Sequence, residues 1–376
     1  METLSNQRTM TGGGPGATAS LMAPGTKFDG YEIVALLGEG SLGHTYLARN
    51  AMLGSLFVIK VLRSDIPGFR EGFERIQAEV RSLARYKHPN IVSIRHLDAA
   101  EGLPFLVSDP VLCEGGAEES FSLADASEAD KPLPQETVAR LGRQICSALE
   151  FCHARHIVHG NLKAENILLT SRNLSKAEVK VSDFCLAGLV GRDWFQKQTL
   201  SYGARDSIGG QATLSPEPGD TSKQGGRVGA LMKTYEVMSP EQRLGKPATE
   251  RSDLYSLGAL LYRLLTGERL GGFMAPPTDV IPDLDPGWNR LLLKCLEEDV
   301  DSRPGTAREI GQALALLAGP EAGRPVPLTT GKRRRSVTDS GCLPCCQEIL
   351  EQIQPGSTLG PYEINERIGI GGMGVV

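Results

Sequence analysis

The sequence predicts an α+β chain with two unequal lobes, a small β-rich lobe over residues 28–110 and a larger helical lobe over residues 111–318. Two observations predict this fold class. Residues 31–62 carry alternating and β-branched runs around a glycine-rich turn, which is typical of neighbouring strands. Farther along, residues 135–155 and 253–265 repeat apolar side chains at the spacing of a helix.

The small lobe is predicted from consecutive patterns. Three strands are expected within 31–62, in the runs YEIVALLG, HTYLARN and SLFVIKVL. An amphipathic helix is expected over 71–87. Its apolar stripe consists of Phe73, Ile76, Val80 and Leu83. Two further short strands are expected near 91–94 and 104–107.

Helical patterns dominate the larger lobe. The helix over 135–155 has an apolar stripe of Val138, Leu141, Ile145, Leu149 and Cys152. The second helix, 253–265, should end at Gly267, because glycine favours the left-handed conformation of a helix C-terminus. Residues 287–318 should again be helical, with an interruption at Pro304. Residues 1–27 are predicted to be a flexible tail, and residues 319–355 a linker.

Composition limits the class of function. The net charge of -5 gives no electrostatic reason to expect nucleic-acid binding. The sequence has no apolar run long enough for a membrane span, and its N-terminus lacks the apolar core of a secretory signal. The 8 cysteines are scattered along a long chain, which favours reduced thiols and a cytoplasmic location.

The stretch HGNLKAEN, residues 159–166, resembles the catalytic loop H-R-D-L-K-x-x-N of protein kinases. Further stretches follow in the order of that family, and they are most similar to bacterial Ser/Thr kinases. These are HPNIV at 88–92, NILL at 166–169, MSPEQ at 238–242 and SDLYSLGALLYRLLTG at 252–267. The resemblance covers residues 28–318 and implies the bilobal protein-kinase fold.

The resemblance also implies a nucleotide site for ATP and Mg²⁺. The glycines of G-x-G-x-x-G would let the backbone approach the phosphates. They are Gly38, Gly40 and Gly43. Lys60 would hold the α- and β-phosphates and pair with Glu79 on the following helix. The oxygens of Asn166 and Asp183 would bind magnesium, which prefers hard oxygen ligands.

The adenine pocket would lie between Val58 as its roof and Leu168 as its floor. Val58 stands where the family has a smaller alanine, and Thr45 stands where it has an apolar valine. The extra carbons of Val58 are expected to crowd the base, because packed sites respond to single methylenes.

Three substitutions depart from the chemistry of the family. Asn161 stands where the family has the catalytic aspartate that accepts the substrate's hydroxyl proton, and an amide has no basic lone pair for this role. Gly160 replaces the arginine that usually holds a phosphorylated activation segment. Cys185 replaces the glycine of D-F-G, and we expect it to restrict the loop as a small buried residue without a redox role. Lys163 of the catalytic loop is retained.

The activation segment is long, since Asp183 and Glu241 are 58 positions apart. Residues 192–230 are predicted to be a disordered insert. Thr234 matches the threonine that contacts the catalytic aspartate in the family, and Glu241 is expected to form a buried ion pair with Arg303. An internal apolar stack anchored on Asp253 is also expected from Leu83, Ile94, His159 and Phe184.

The C-terminal residues repeat the start of the small lobe. Tyr-Glu-Ile and the three glycines recur 331 positions later, from Gly25 to Gly356 onward. Residues 356–376 are therefore interpreted as the truncated start of a second kinase domain. The reading frame is expected to continue into that domain, or to show a recent stop or frameshift before it. The basic run before Ser336 is interpreted as a solvated linker, although it also fits a phosphorylation site, and Cys342, Cys345 and Cys346 as free thiols.

Three functions remain open from the sequence. The leading one is a nucleotide-binding pseudokinase that regulates or scaffolds an adjacent or partner kinase domain. The second is a slow but genuine ATP-dependent Ser/Thr kinase acting on a protein substrate, because loss of a general base costs about 10²–10⁴ in rate and leaves residual activity. The third is a gene fragment without function.

Overall fold

The structure is a computed structural model, and it describes most of the chain between residues 21 and 318 together with four short strands near the C-terminus. The described ranges are 21–40, 42–64, 69–114, 120–127, 131–189, 234–268, 270, 275–318, 358–359, 362–363, 370–371 and 374–375. The predicted insert 192–230, the linker 319–355 and most of the predicted tail lie outside the described residues.

The small lobe is built on a six-stranded antiparallel sheet in the order β1-β2-β3-β4-β6-β5. Its strands are β1 Lys27–Phe28, β2 Tyr31–Gly40, β3 Gly43–Asn50, β4 Leu56–Leu62, β5 Ile94–Ala100 and β6 Leu103–Ser108. Helix α1, Phe69–Leu83, connects β4 to β5. Alternation along β4 places Ile59 and Val61 in one buried apolar cluster, while Val58 and Lys60 point to the opposite face. The register of β4 thus determines which side chains face the cleft.

The larger lobe is mainly helical. It contains α2 Leu123–Ala126, α3 Gln135–His153, α4 Pro240–Arg243, α5 Glu250–Thr266, α6 Pro277–Val280, α7 Gly287–Cys295 and α8 Ala307–Leu317, with a small hairpin of β7 Ile167–Leu169 and β8 Val179–Val181. Helix α5 is buried along nearly its whole length and is the centre of this lobe. It ends at Gly267, whose φ of 77° confirms the predicted left-handed C-terminus. No helix in the described ranges is both long and apolar enough to span a membrane.

Two elements differ from the sequence prediction. Helix α1 spans Phe69–Leu83 rather than the predicted 71–87. It begins at Phe69 because the ring of Phe69 stacks on Phe73 at 5.6 Å and extends the buried stripe. Strand β5 begins at Ile94 rather than 91. Ile91 forms only an isolated parallel bridge with Val181, so the apolar run around it is divided between the two lobes.

Residues 325–376 form a separate unit of which four short strands are described. They are β9 Thr358–Leu359, β10 Tyr362–Glu363, β11 Ile370–Gly371 and β12 Gly374–Val375. Their registers repeat those of the small lobe 331 positions earlier. The pairs Leu359↔Tyr362 and Gly371↔Gly374 correspond to Phe28↔Tyr31 and Gly40↔Gly43.

Candidate active site

A cleft of about 600 Å³ lies between the glycine-rich turn, β4 and the loop that begins at His159. This volume is within the usual range for small-molecule sites. Nine of the eleven residues predicted for the site line it, namely Gly38, Gly40, Val58, Lys60, Asn161, Lys163, Asn166, Leu168 and Asp183. Gly43 and Glu79 do not line it.

The three glycines have different surroundings. A Cβ on Gly38 would meet nothing within 4 Å, and one on Gly40 would make only ordinary contact, so both leave open backbone toward the cleft. A Cβ on Gly43 would lie 1.9 Å from the carbonyl oxygen of Val61, and Gly43 has a φ of 154°. Gly43 is therefore required by the close approach of β3 to β4, and we do not assign it to nucleotide binding.

Lys60 pairs with Asp183 rather than with Glu79. Its Nζ lies 2.5 Å from Asp183 Oδ2, and no ion pair between Lys60 and Glu79 is found among the described residues. The predicted Lys60–Glu79 pair is thus not formed in this structure. Burial opposes the charge of Asp183, but the ammonium of Lys60 outweighs it and lowers the pKa of this carboxyl.

Glu79 has other neighbours. Its carboxylate has Arg75, one helical turn earlier on α1, and the thiol of Cys185 as neighbours. Burial raises the pKa of Glu79, and the charge of Arg75 opposes that rise. Cys185 is 1% exposed and has a φ of 71°, which a side chain adopts only under strain. The expectation of a restricted loop at Cys185 agrees with this geometry.

The loop before the cleft is fixed by a buried carboxylate. Asp253 on α5 accepts hydrogen bonds from the backbone N–H groups of His159 and Gly160 at 2.8 and 2.7 Å. Gly160 has a φ of 69°, which costs glycine little. Gln242 donates to the carbonyl of Gly160 at 2.8 Å and links the loop to α4. Gln242 was not predicted for the site, although it lies in the MSPEQ stretch that carried the resemblance.

Asn161 lies at the position where the resemblance expects the catalytic aspartate. Its side-chain oxygen, Oδ1, is buried and has no hydrogen-bond partner among the described residues. Its backbone carbonyl accepts a hydrogen bond from Asn166 Nδ2 at 2.9 Å. Lys163 donates to Thr234 Oγ1 at 3.0 Å, so the retained lysine and the predicted threonine are in contact. The amide of Asn161 can orient a hydroxyl group but cannot remove its proton.

The donors predicted for magnesium are compatible with that ion. Because Asn166 uses its amide nitrogen toward Asn161, its side-chain oxygen remains as the possible ligand beside the carboxylate of Asp183. Magnesium is usually held by one or two such oxygens together with substrate phosphates and waters. No cluster of three or more His, Cys, Asp or Glu side chains suitable for a metal is found in the described part of the chain.

The predicted apolar stack around Phe184 is present. The rings of His159 and Phe184 lie 4.7 Å apart, and Leu83, Ile94 and Phe184 belong to one buried cluster. His153, a residue that the sequence analysis missed, joins this region by a 2.8 Å contact with Asp253. Its place on the apolar stripe of α3 gives no separate signal of that partner.

The expected Glu241–Arg303 ion pair is confirmed as a two-point contact, with both N–O distances at 2.8 Å. Both residues are buried. Burial alone would raise the pKa of Glu241, but the hydrogen bonds from Arg303 and Ser252 lower it to about 2. The pair joins α4 to the loop before α8 and so fixes the end of the activation segment.

Comparison with known proteins agrees with this geometry. The profile of the protein kinase domain matches residues 31–314. Serine/threonine-protein kinase Pkn1 of Myxococcus xanthus is 30% identical over 306 residues, covering 78% of this chain and 39% of the relative. Serine/threonine-protein kinase pkn3 of the same organism is 31% identical over 304 residues, covering 76% and 50%. The chain thus spans half or less of the length of these two relatives.

Similarity to solved structures supports the fold. The kinase domain of Mycobacterium tuberculosis PknI matches with a TM-score of 0.56 at 21% sequence identity, covering 80% of this chain and 100% of that domain. At this identity the likeness shows the fold alone. It confirms the predicted bilobal arrangement of a curled antiparallel sheet and a helical lobe.

Proposed function

The chain belongs to the protein kinase domain family, and from this premise we propose that residues 28–318 form a nucleotide-binding kinase domain with impaired phosphotransfer, a pseudokinase. Protein kinases use ATP and Mg²⁺. In this chain the phosphates would lie at the open backbone of Gly38 and Gly40 and at Lys60, and the metal at Asn166 and Asp183. Adenine would lie between Val58 and Leu168, both of which line the cleft.

One observation carries the proposal of impaired transfer. Asn161 Oδ1 is buried and has no hydrogen-bond partner in the part of the chain that the structure describes, and it stands where the family has its base. A neutral amide oxygen can accept a hydrogen bond from a substrate hydroxyl, but it does not take up the proton near neutral pH. Binding and orientation would therefore persist while the proton transfer is lost.

A second candidate function is slow transfer to a Ser or Thr of a protein substrate. The contact between Lys163 and Thr234 favours it, because this part of the positioning machinery is in place. Phosphoryl transfer depends mainly on positioning and charge stabilisation, so a domain without its base is slow rather than inert.

The proposed role is regulation or scaffolding of an adjacent kinase domain. The support is the repeat at residues 356–376, whose described strands share their registers with the first copy. A neighbouring kinase would give a use to the surface of a domain whose chemistry is reduced.

The test compares the unmodified chain with Asn161→Asp in single-turnover transfer from ATP to a generic basic protein. Asn161→Asp should raise the rate by about 10²-fold or more, because it restores the base. Asn161→Ala is the matched control and should give no increase. Lys60→Ala, prepared in the same way, reports any contaminating kinase.

Two outcomes separate the alternatives. An unmodified chain that turns over at about 1–100 per second, as ordinary kinases do, would show that the pseudokinase proposal is wrong. A slow rate that Lys60→Ala abolishes would favour the slow kinase. If Asn161→Asp binds nucleotide but stays inactive, Gly160, Cys185 or Val58 also limits the reaction.

A further inference from the structure

Arg243 is a partly buried cation whose hydrogen-bonding capacity is largely unused. Among the described residues, four buried side-chain polar atoms lack a hydrogen-bond partner, and Arg243 Nε is the one that belongs to a charged group. The only side-chain hydrogen bond of Arg243 found in the described ranges runs from Nη2 to the carbonyl of Tyr235 at 3.4 Å, which is long for such a bond. A guanidinium has five N–H donors, so this one is suited to receive an anionic partner.

Arg243 lies beside the loop that carries Asn161. It is the last residue of α4, and the preceding Gln242 donates a hydrogen bond to the carbonyl of Gly160 at 2.8 Å. Consecutive Cα atoms are about 3.8 Å apart, so Arg243 is one residue away from a direct contact with this loop. A substrate hydroxyl that meets Asn161 would therefore bring its flanking residues close to this cation.

Tyr235 supports the guanidinium and links it to the same loop. The guanidinium carbon lies 4.9 Å from the centre of the Tyr235 ring, a cation–π contact that favours one orientation of the planar group. Tyr235 directly follows Thr234, whose hydroxyl accepts a hydrogen bond from Lys163. Tyr235 is 37% exposed, and Leu244, next to Arg243, is 66% exposed. A bound polypeptide can therefore reach this part of the surface.

No ion pair between Arg243 and an acid is found in the part of the chain that the structure describes. Glu241, two positions earlier, is held by both Nη atoms of Arg303 at 2.8 Å. Glu236 lies 3.6 Å from Arg263, in a small pocket that Arg243 does not line. These two acids thus have cations of their own, and the positive charge of Arg243 is left for a partner from outside.

We propose that Arg243 is a specificity-determining residue that binds an acidic side chain of a protein substrate, close to the Ser or Thr presented to Asn161. The planar fork of a guanidinium matches a carboxylate, which can accept two parallel hydrogen bonds from it. The ring of Tyr235 is the platform that orients the fork. The proposal rests on the proposed protein-substrate site, whether the domain transfers phosphate slowly or only binds, and it does not require nucleotide binding.

The first experiment measures peptide binding to the full chain without nucleotide, by fluorescence anisotropy at low salt. The probes are serine-centred peptides in which Asp is placed at each flanking position in turn, and the matching Asn peptides are the reference. At one flanking position Asp should tighten binding by about 10-fold relative to Asn, because the pair with Arg243 is charge-assisted.

Charge reversal then identifies the cation. Arg243→Glu should prefer Lys to Asn at the same peptide position by about 10-fold and should bind the Asp peptide more weakly than the Asn peptide. Arg243→Gln should show neither preference, and it decides the question if Arg243→Glu does not fold. Arg290→Glu is the matched control, because it makes the same change of net charge at an exposed arginine on α7 and should keep the preference of the unmodified chain.

The outcomes separate this proposal from the proposed function. An Asp preference that Arg243→Glu reverses and Arg290→Glu keeps would support the proposal even if the chain binds no ATP, a result that would refute nucleotide binding alone. An unmodified chain without an Asp preference at any position would overturn the proposal. An Asp preference that survives in Arg243→Glu or Arg243→Gln would overturn it too. Equal weakening of all peptides by Arg243→Gln would show that Arg243 has only a structural role.

Discussion

Lys60 Nζ lies 2.5 Å from Asp183 Oδ2, so the cation proposed for the phosphates and the anion proposed for the metal neutralise each other in this structure. Bound nucleotide and magnesium would supply each group with a new partner of opposite charge. The exchange keeps the cleft electrostatically balanced, because no buried charge is left without a partner.

Magnesium-bound ATP should therefore raise the melting temperature of the chain. At about 100-fold excess over the dissociation constant, the stabilisation is about 2.7 kcal/mol, which corresponds to roughly 5 °C or more. Lys60→Ala should remove the shift, measured against the melting temperature of that variant without ligand. Lys246→Ala, at an exposed lysine outside the cleft, should keep it. No shift for the unmodified chain at millimolar ATP would contradict nucleotide binding.

Substitutions of two glycines in the glycine-rich turn should have different effects, one on stability and the other on ATP binding. Gly43→Ala should lower the free energy of unfolding by about 3 kcal/mol or more, since its Cβ would overlap the Val61 carbonyl. Gly38→Ala is the matched control, because its Cβ has open space, and it should change stability by less than about 0.5 kcal/mol. Its effect should instead be weaker ATP binding, measured by calorimetry. A stable Gly43→Ala variant would show that β3 and β4 can separate locally.

The Glu241–Arg303 pair should contribute strongly to stability. Arg303→Met leaves a buried carboxylate without its cation, which typically costs about 3–5 kcal/mol in urea unfolding. The exposed pair of Arg308 with Glu150 provides the comparison, and Arg308→Ala should cost much less stability than Arg303→Met, because solvent screens an exposed pair. Equal costs for the two variants would mean that the buried pair is replaced by other contacts.

The same pair predicts a pH dependence. The pKa of Glu241 falls from an ordinary 4.5 to about 2 in the folded chain, so its ionised form stabilises the fold above pH 4.5. This contribution should be lost as the pH falls from 4.5 toward 2, where Glu241 becomes protonated. Glu241→Gln should remove this part of the pH dependence when unfolding free energies are compared between pH 7 and pH 3. An equal change in unfolding free energy between pH 7 and pH 3 for the two proteins would contradict the assigned pKa.

Regulation of a neighbouring kinase domain predicts a change in that domain's rate. For a complete kinase domain that begins with the second copy at 356–376, addition of residues 28–318, fused or in trans, should change phosphotransfer to a protein substrate. An unrelated folded domain of similar size, fused at the same place, controls for tethering. Equal rates with and without residues 28–318 would contradict regulation and favour the interpretation as a gene fragment without function.

Much of the fold could be predicted from local pattern. The stripes of α1 and α3, the alternation in β4 and the glycine after α5 each depend on neighbouring residues in the sequence, and each is observed. Ile91 was misplaced because its partner, Val181, is 90 positions away. Edge strand β5 carries polar residues that conceal its extent, since an edge strand need not be apolar.

The residues of the cleft were predicted better than their partners. Lys60 and Asp183 were both expected in the site, but Lys60 was expected to pair with Glu79 and not with Asp183. Cys185 has a positive φ, which no spacing rule assigns to a non-glycine residue. The packing role of Gly43 was missed for a similar reason, because the glycine motif is the same for a phosphate contact and for a close strand approach.

Gly160 holds a φ of 69°, so an arginine returned to this position would cost about 1–2 kcal/mol in backbone conformation. Asn161 has no positive φ, and its exchange for aspartate needs no change of backbone. The two positions in the loop are thus unequal: a proton acceptor at 161 needs only an exchange of side chain, whereas an arginine at 160 also carries a backbone cost.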